Sequence, residues 1–181
     1  MKLNKGVKMP DFQYLSPYAE GPQSFAEYAN GKKTFVVFLR YYGCTVCRLD
    51  LHIFAQRMAE FTAKGAQLMV VLQSDPNLVK EEAPVGTFPY ELACDPSQDV
   101  YKKFDIEPAK SMGKLIGGGI FKALKKMKAA KQFGFEHGEY EGNEQQLPAM
   151  VLVDENGIVT FSHYAKNLVD MPSVDEMLAK L

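Results

Sequence analysis

Phe35 to Leu39 is a short apolar run, rich in aromatic and β-branched residues, that leads through Arg40-Tyr-Tyr-Gly43 into Cys44-Thr-Val-Cys47. Such a run predicts a strand covered on both faces, and Gly43 permits the turn after it. From Thr45 onward the apolar residues fall at Leu49, Ile53, Phe54, Met58 and Phe61. That three-and-four spacing marks one buried stripe of a helix. Two cysteines two residues apart therefore open a helix at the end of a buried strand.

A helix start presents unpaired backbone N–H groups and the positive end of the peptide dipole, so it favours a thiolate over a thiol. The pKa of a cysteine in this setting falls from about 8.5 toward roughly 3.5 to 7.5. Cys44, the first of the pair, is the better candidate for the lowered value, and Cys47, one turn along, can close a disulfide with it. Arg40 and Arg48 flank the pair and could add positive potential. Two other accounts of the cysteines compete with redox chemistry. They could be inert core residues, or half of a zinc knuckle. Zinc needs two further ligands, and Cys94, His52, His137 and His163 offer no paired spacing for them. No metal is expected.

At 181 residues the chain suits one domain with a substantial core, and three cysteines are too few for a disulfide framework. A formal charge of −1 gives no global pull toward nucleic acid or membrane. The first ten residues lack the apolar centre of a signal peptide, and no stretch reaches the length of a membrane span. A cytoplasmic location without integral membrane association is expected. In that reducing compartment a close cysteine pair is catalytic or redox-sensing rather than structural.

Along the chain, Ser24 to Tyr28 reads as a short helix with a capping box between Ser24 and Glu27. The helix from about Thr45 to Lys64 stops at Gly65, and Ala66 to Leu72 reads as a second, parallel strand. Asp75-Pro76 starts a short helix to about Glu82, Phe88 to Ala93 is a third strand, and Asp95-Pro96 begins another helix carrying Val100, Tyr101 and Phe104. This alternation implies an α/β fold. Residues 109 to 146 break it as an insertion. There Gly117-Gly118-Gly119 reads as a flexible joint, followed by a helix whose Phe121, Leu124 and Met127, with the stems of Lys128 or Lys131, share a face, the opposite face being basic. Packing over the fold by that apolar stripe is favoured over docking on a membrane surface or an acidic partner. Leu147 to Asp154, Asn156-Gly157 and Ile158 to Tyr164 read as a hairpin, and Ser173 caps a closing helix with Val174, Met177, Leu178 and Leu181 on one side.

The strand running into Cys-x-x-Cys, the strand-helix-strand unit, and a proline before a terminal hairpin and helix resemble a thioredoxin fold. Gly6-Val-Lys-Met-Pro-Asp-Phe12 resembles the opening of the peroxiredoxin superfamily, the alkyl hydroperoxide reductase and thiol-specific antioxidant group. Gly31-Lys-Lys33, the block from Phe88 to Pro96 and Pro148 to Gly157 are similar too. The likeness is strongest to the peroxiredoxin-like branch in which a segment like Arg40-Tyr-Tyr-Gly-Cys-Thr-Val-Cys-Arg48 replaces the usual Pro-x-x-x-Thr-x-x-Cys site. The resemblance covers most of the chain. It implies a central mixed sheet flanked by helices, one domain over 1–181, and a helical basic insertion over 109–146 before the C-terminal hairpin.

It also implies Cys44 and Cys47 as catalytic residues, supported by Arg40, Thr45, Arg48 and Pro148, with no cofactor. Aligned on the final cysteine of the usual site, Cys47 would be peroxidatic and Cys44 resolving; thioredoxin logic reverses these roles, and it is preferred for thiol exchange. Pro148 would correspond to the cis-proline that faces the redox pair. Cys94 is expected to be a buried structural residue at a strand end, a third redox partner being the alternative, and the three histidines structural or surface groups. The expected activity is reduction of hydroperoxides through a dithiol/disulfide cycle, with an external dithiol such as a thioredoxin-like protein as reductant. Thiol-disulfide exchange, reduction of lipid endoperoxides, and a redox-regulated binding module remain alternatives.

Overall fold

Phe35 and Val37 enter one hydrophobic cluster while Val36 and Phe38 enter another, and all four are fully buried. A strand that alternates in this way and has no wet side must lie mid-sheet with helices on both faces. The computed structural model describes residues 1–181. In chain order its elements are β1 (Gln13–Leu15), β2 (Pro22–Ser24), α1 (Phe25–Ala29), β3 (Lys33–Phe38), α2 (Thr45–Ala63), β4 (Ala66–Leu72), α3 (Pro76–Glu82), β5 (Glu91–Cys94), α4 (Asp99–Lys103), α5 (Met112–Ile116), α6 (Ile120–Gln132), β6 (Ala149–Val153), β7 (Val159–Tyr164) and α7 (Val174–Leu178).

The strands form one mixed sheet in the order β2-β1-β5-β4-β3-β6-β7. β3, β4 and β5 run parallel, and β6 lies antiparallel to β3 with Phe38 opposite Ala149. Phe54, Met58 and Phe61 of α2 pack on the face that carries Phe35, Leu68 and Val70. Phe25, Val100 and Tyr101 cover the other face. α2 stops where Gly65 takes φ +70, a conformation that glycine adopts at little cost. In the β6–β7 turn, Asp154 Oδ1 accepts from the Asn156 and Ile158 N–H groups at 2.9 and 2.8 Å, and Gly157 supplies the positive φ.

Four local expectations are corrected. The strand expected from Phe88 starts only at Glu91. The helix expected from Asp95-Pro96 starts at Asp99, because Gln98 sits in the left-handed region at φ 59. Asp95 still does the capping, from further out: its carboxylate accepts from the N–H groups of Asp99, Val100 and Tyr101 at 3.1, 2.8 and 3.3 Å. Ser24 accepts from Glu27 N–H, but Ser24 Oγ donates to the Asp11 carboxylate, so the reciprocal half of the capping box is missing. Gly117 to Gly119 is not a loose joint, since a Cβ on Gly119 would lie 2.6 Å from Val169 Cγ2.

The largest departure concerns α6. It packs through Ala123 and Ala130, whereas Phe121, Leu124 and Met127 face outward. Small residues let the helix approach α2 closely, and Lys126 fixes it there by pairing with Asp50 at 2.5 Å.

Asp95 is 5% exposed and holds three backbone donors. Asp95→Ala leaves the buried Val100 and Tyr101 N–H groups unpaired, so denaturant unfolding is expected to show a loss of about 1–3 kcal/mol.

Candidate active site

Cys44 is the N-cap of α2, with extended backbone, and its sulfur accepts the Cys47 N–H at 3.4 Å. Arg40, at the end of the β3 run, is itself buried and brings Nη1 to 3.4 Å from the same sulfur. The Cys47 thiol, the Arg40 guanidinium and the N–H groups of Cys47 and Val46 all favour the Cys44 thiolate. Against the opposing effect of burial they hold its pKa at about 7, below the ordinary thiol value near 9. Cys47 goes the other way. Burial, and then the negative charge on Cys44, push its thiol up. Both cysteines are reduced and only 2% exposed.

What covers them is the end of the insertion. Gly138 N–H donates to the Gly43 carbonyl at 2.8 Å, and a Cβ on Gly43 would run into the Glu139 backbone. Gly43 is thus required by close approach, not by a positive φ. Beyond it, the Glu141 carboxylate accepts from Ser74 Oγ at 2.6 Å and from Asp75 N–H at 2.8 Å. Arg40 Nη2 donates to the Glu144 carbonyl and to Tyr41 Oη. Tyr41 Oη lies 3.1 Å from His137 Nε2, and His137 Nδ1 lies 2.8 Å from the Gly138 carbonyl. With Nδ1–H donating there, Nε2 accepts from Tyr41. Arg40, Tyr41 and His137 thus form one chain from the buried thiol to the exposed imidazole.

The other expected site residues are placed as follows. Arg48 does not charge the thiol pair: it pairs with Glu82, donates Nε–H to the Tyr42 carbonyl at 3.0 Å and stacks over the Tyr42 ring. Its ion pair neutralises its field. Thr45 is the first residue of α2, half-buried, and makes no side-chain hydrogen bond to either thiol. Pro148 is buried and lies one residue before Ala149, which pairs with the last residue of β3, so it sits just past the end of the two central strands that lead to the site. Its peptide bond is trans, like every other in the chain, which corrects the cis expectation; trans is the more stable isomer of an X-Pro bond by about 0.5–1 kcal/mol. Cys94 ends β5 opposite Leu72, and burial pushes its thiol up. No cluster of His, Cys, Asp or Glu suits a metal ion. Tyr41, His137 and Glu141 were not singled out from the sequence as partners of the site. Their link to it spans the fold, and no local spacing signals it.

The class of protein this defines is a thioredoxin-like α/β fold carrying a buried, polarised dithiol at a strand-helix junction. The AhpC/TSA family model matches residues 6–162, and the chain belongs to that family. Among curated proteins it is 22% identical to Peroxiredoxin-like 2C of Takifugu rubripes over 187 residues, covering 95% of this chain and 80% of that one. Among solved structures it resembles a cysteine-to-serine mutant of peroxiredoxin 6 from Arenicola marina (TM-score 0.71, 13% identity, 97% of this chain and 70% of that one). It also resembles a yeast mitochondrial 1-Cys peroxiredoxin studied for thiol resolution via glutathione/thioredoxin systems (TM-score 0.64, 16% identity, 97% and 73%). Membership supports a thiol-dependent redox function. No helix is long and apolar enough to cross a membrane.

Two outcomes are expected. Thiolate ultraviolet absorbance, referenced to Cys44→Ser, rises with pH through a midpoint of about 7, and Arg40→Gln moves that midpoint up toward the ordinary thiol value, because a favourable cation is lost. Gly43→Ala, by pushing Glu139 away, speeds alkylation of Cys44 roughly three- to tenfold, the worth of one backbone hydrogen bond lost from the closed state.

Proposed function

We propose that the protein reduces hydroperoxides with Cys44 as the attacking thiolate and Cys47 as the resolving thiol. The observation that supports this assignment is the opposed environment of the two sulfurs: the Cys47 thiol, Arg40 and the backbone N–H groups at the start of α2 hold Cys44 down near neutrality, while burial keeps Cys47 protonated. In the first step the Cys44 sulfur attacks the peroxide, an S–O bond forms, the O–O bond breaks, and the departing oxygen takes a proton to leave as alcohol or water. Cys44 becomes a sulfenic acid. Its negative charge is then gone, and with it one of the causes that keep Cys47 from ionising. Cys47 attacks the sulfenic sulfur, the disulfide forms and water leaves with the Cys47 proton. An external dithiol returns both cysteines to the reduced state by two thiol-disulfide exchanges.

Burial of the pair favours a small hydroperoxide over a protein disulfide as oxidising substrate, since a folded partner cannot reach a sulfur 2% exposed beneath Gly138 and Glu139. The same cover implies that the segment after Phe135 opens when the external dithiol acts. Arg40 Nε is buried without a partner, which leaves this guanidinium one free N–H for a peroxide oxygen.

Stopped-flow oxidation of the reduced protein by hydrogen peroxide, with mass mapping, tests the assignment. The wild type is expected to form a Cys44–Cys47 disulfide, Cys47→Ser to accumulate a sulfenic acid on Cys44, and Cys44→Ser to lose about 100-fold or more in rate. Sulfenic acid on Cys47 in Cys44→Ser at the wild-type rate reverses the roles. Slow oxidation of all three points to thiol-disulfide exchange.

A further inference from the structure

From residue 108 to residue 135 the chain has seven lysines and no aspartate or glutamate, although its formal charge is −1. α6 lies within this stretch with its alanines turned inward. Its outer side presents Phe121 at 87% exposure, Leu124 at 57% and Ile120 at 53%. Met112 and Ile116 of α5 extend the same apolar character. Large apolar side chains exposed together mark an interaction surface, whereas scattered ones do not. Among the lysines, Lys126 is used by Asp50 and Lys122 donates to the Met171 carbonyl. Lys125, Lys128 and Lys131 form no ion pair.

We propose that α6 docks this protein on an anionic lipid surface, with Phe121, Leu124 and Ile120 entering the headgroup–acyl boundary and Lys125, Lys128 and Lys131 meeting the headgroup phosphates and carboxylates. Charge complementarity and composition select this occupant. Protein–protein interfaces are enriched in aromatic residues, Met and Arg and depleted in Lys; α6 carries Phe121 and Met127 but five lysines and no Arg, Tyr or Trp, a charge that an anionic surface complements. Lys125, Lys128 and Lys131 fall four or seven residues from Phe121 or Leu124 and so share their outward face; lysine stems snorkel along apolar surface while the ammonium stays with the headgroups, as suits a helix lying in the plane of such an interface. The face is fixed for this use. Lys126–Asp50, Ala123, Ala130 and the packing of Gly119 on Val169 hold α6 to the body, so ordering it on the surface costs little further entropy. The proposal does not depend on the redox chemistry.

Flotation of the full-length protein with vesicles tests it. The wild type is expected to float with phosphatidylcholine–phosphatidylserine vesicles and not with phosphatidylcholine alone, and added salt weakens the association. Phe121→Asp with Leu124→Asp, and separately Lys125→Glu with Lys128→Glu, each reduce binding about tenfold or more; Cys44→Ser binds as the wild type does. These positions are exposed, and an unchanged thermal unfolding curve establishes that the variants fold. Absence of wild-type binding, equal binding to neutral vesicles, or variants that bind undiminished would each overturn the proposal. So would self-association in sedimentation that Phe121→Asp abolishes while vesicles are ignored, which assigns the face to a second copy of the chain.

Discussion

Over the dithiol, backbone meets backbone: the Gly138 N–H donates to the Gly43 carbonyl, and neither glycine leaves room for a Cβ. On the Gly138 side a Cβ would lie 2.7 Å from Arg48 Nη2, the end of a side chain tied to Glu82 and to the Tyr42 carbonyl. The insertion is therefore not an ornament on the sheet. It closes as a roof over the turn that leads into Cys44 and over Arg40, beside two buried sulfurs. With water admitted there, the Cys44–Cys47 hydrogen bond and the Arg40 charge that separate the two ionisations would be weakened.

Arg40 joins that roof to the electrostatics. One nitrogen of its guanidinium reaches the Cys44 sulfur, and the other holds the Glu144 carbonyl and Tyr41 Oη. A buried cation is tolerated when an anion or aligned dipoles compensate it, and here the compensating anion is the thiolate. Thiolate, guanidinium and cover thus form one assembly. The charge on Cys44 is felt by the group that holds the cover in place, and the cover determines how strongly that charge is felt, because the interaction weakens wherever water enters.

The strand-helix scaffold was legible because local pattern and global position agree there. The apolar run of β3, the stripe of α2, Gly65 after it and the Asp154–Gly157 turn all specify their structure within a few residues. The placement of Cys44 at a helix N-terminus followed from the same signals. The contribution of Arg48 was misjudged, since proximity in sequence says nothing of Glu82, which comes from α3. α6 was misread for a related reason. Its periodicity identifies a face, but two alanines offer closer packing than a Phe-Leu-Met stripe, and sequence spacing does not decide which side a helix presents to its neighbours. The partnership of Tyr41, His137 and Glu141 with the site depends on the path of the insertion across the strand ends, a tertiary fact with no local signature.

The position of α6 relative to the cover carries a further consequence. Its C-terminal turn runs straight into Phe133 and Phe135, whose rings flank His52 at 4.6 and 5.5 Å. Three residues past Phe135 the chain reaches Gly138 and the roof of the thiols. Phe135 also lines an apolar cleft with Tyr42, Leu51 and Phe88, and Arg48 forms part of its wall. One continuous segment thus passes from the exposed apolar face of α6, through an aromatic contact on α2, to the backbone that closes the site. α2 is the common support: Asp50 anchors α6, His52 meets the phenylalanines, and Cys44 caps the N-terminus of the same helix. Because these attachments fall within the first turns of a single rigid helix, the outer face and the dithiol are held in a fixed mutual orientation, and only the short stretch after Phe135 needs to move for a thiol to be reached.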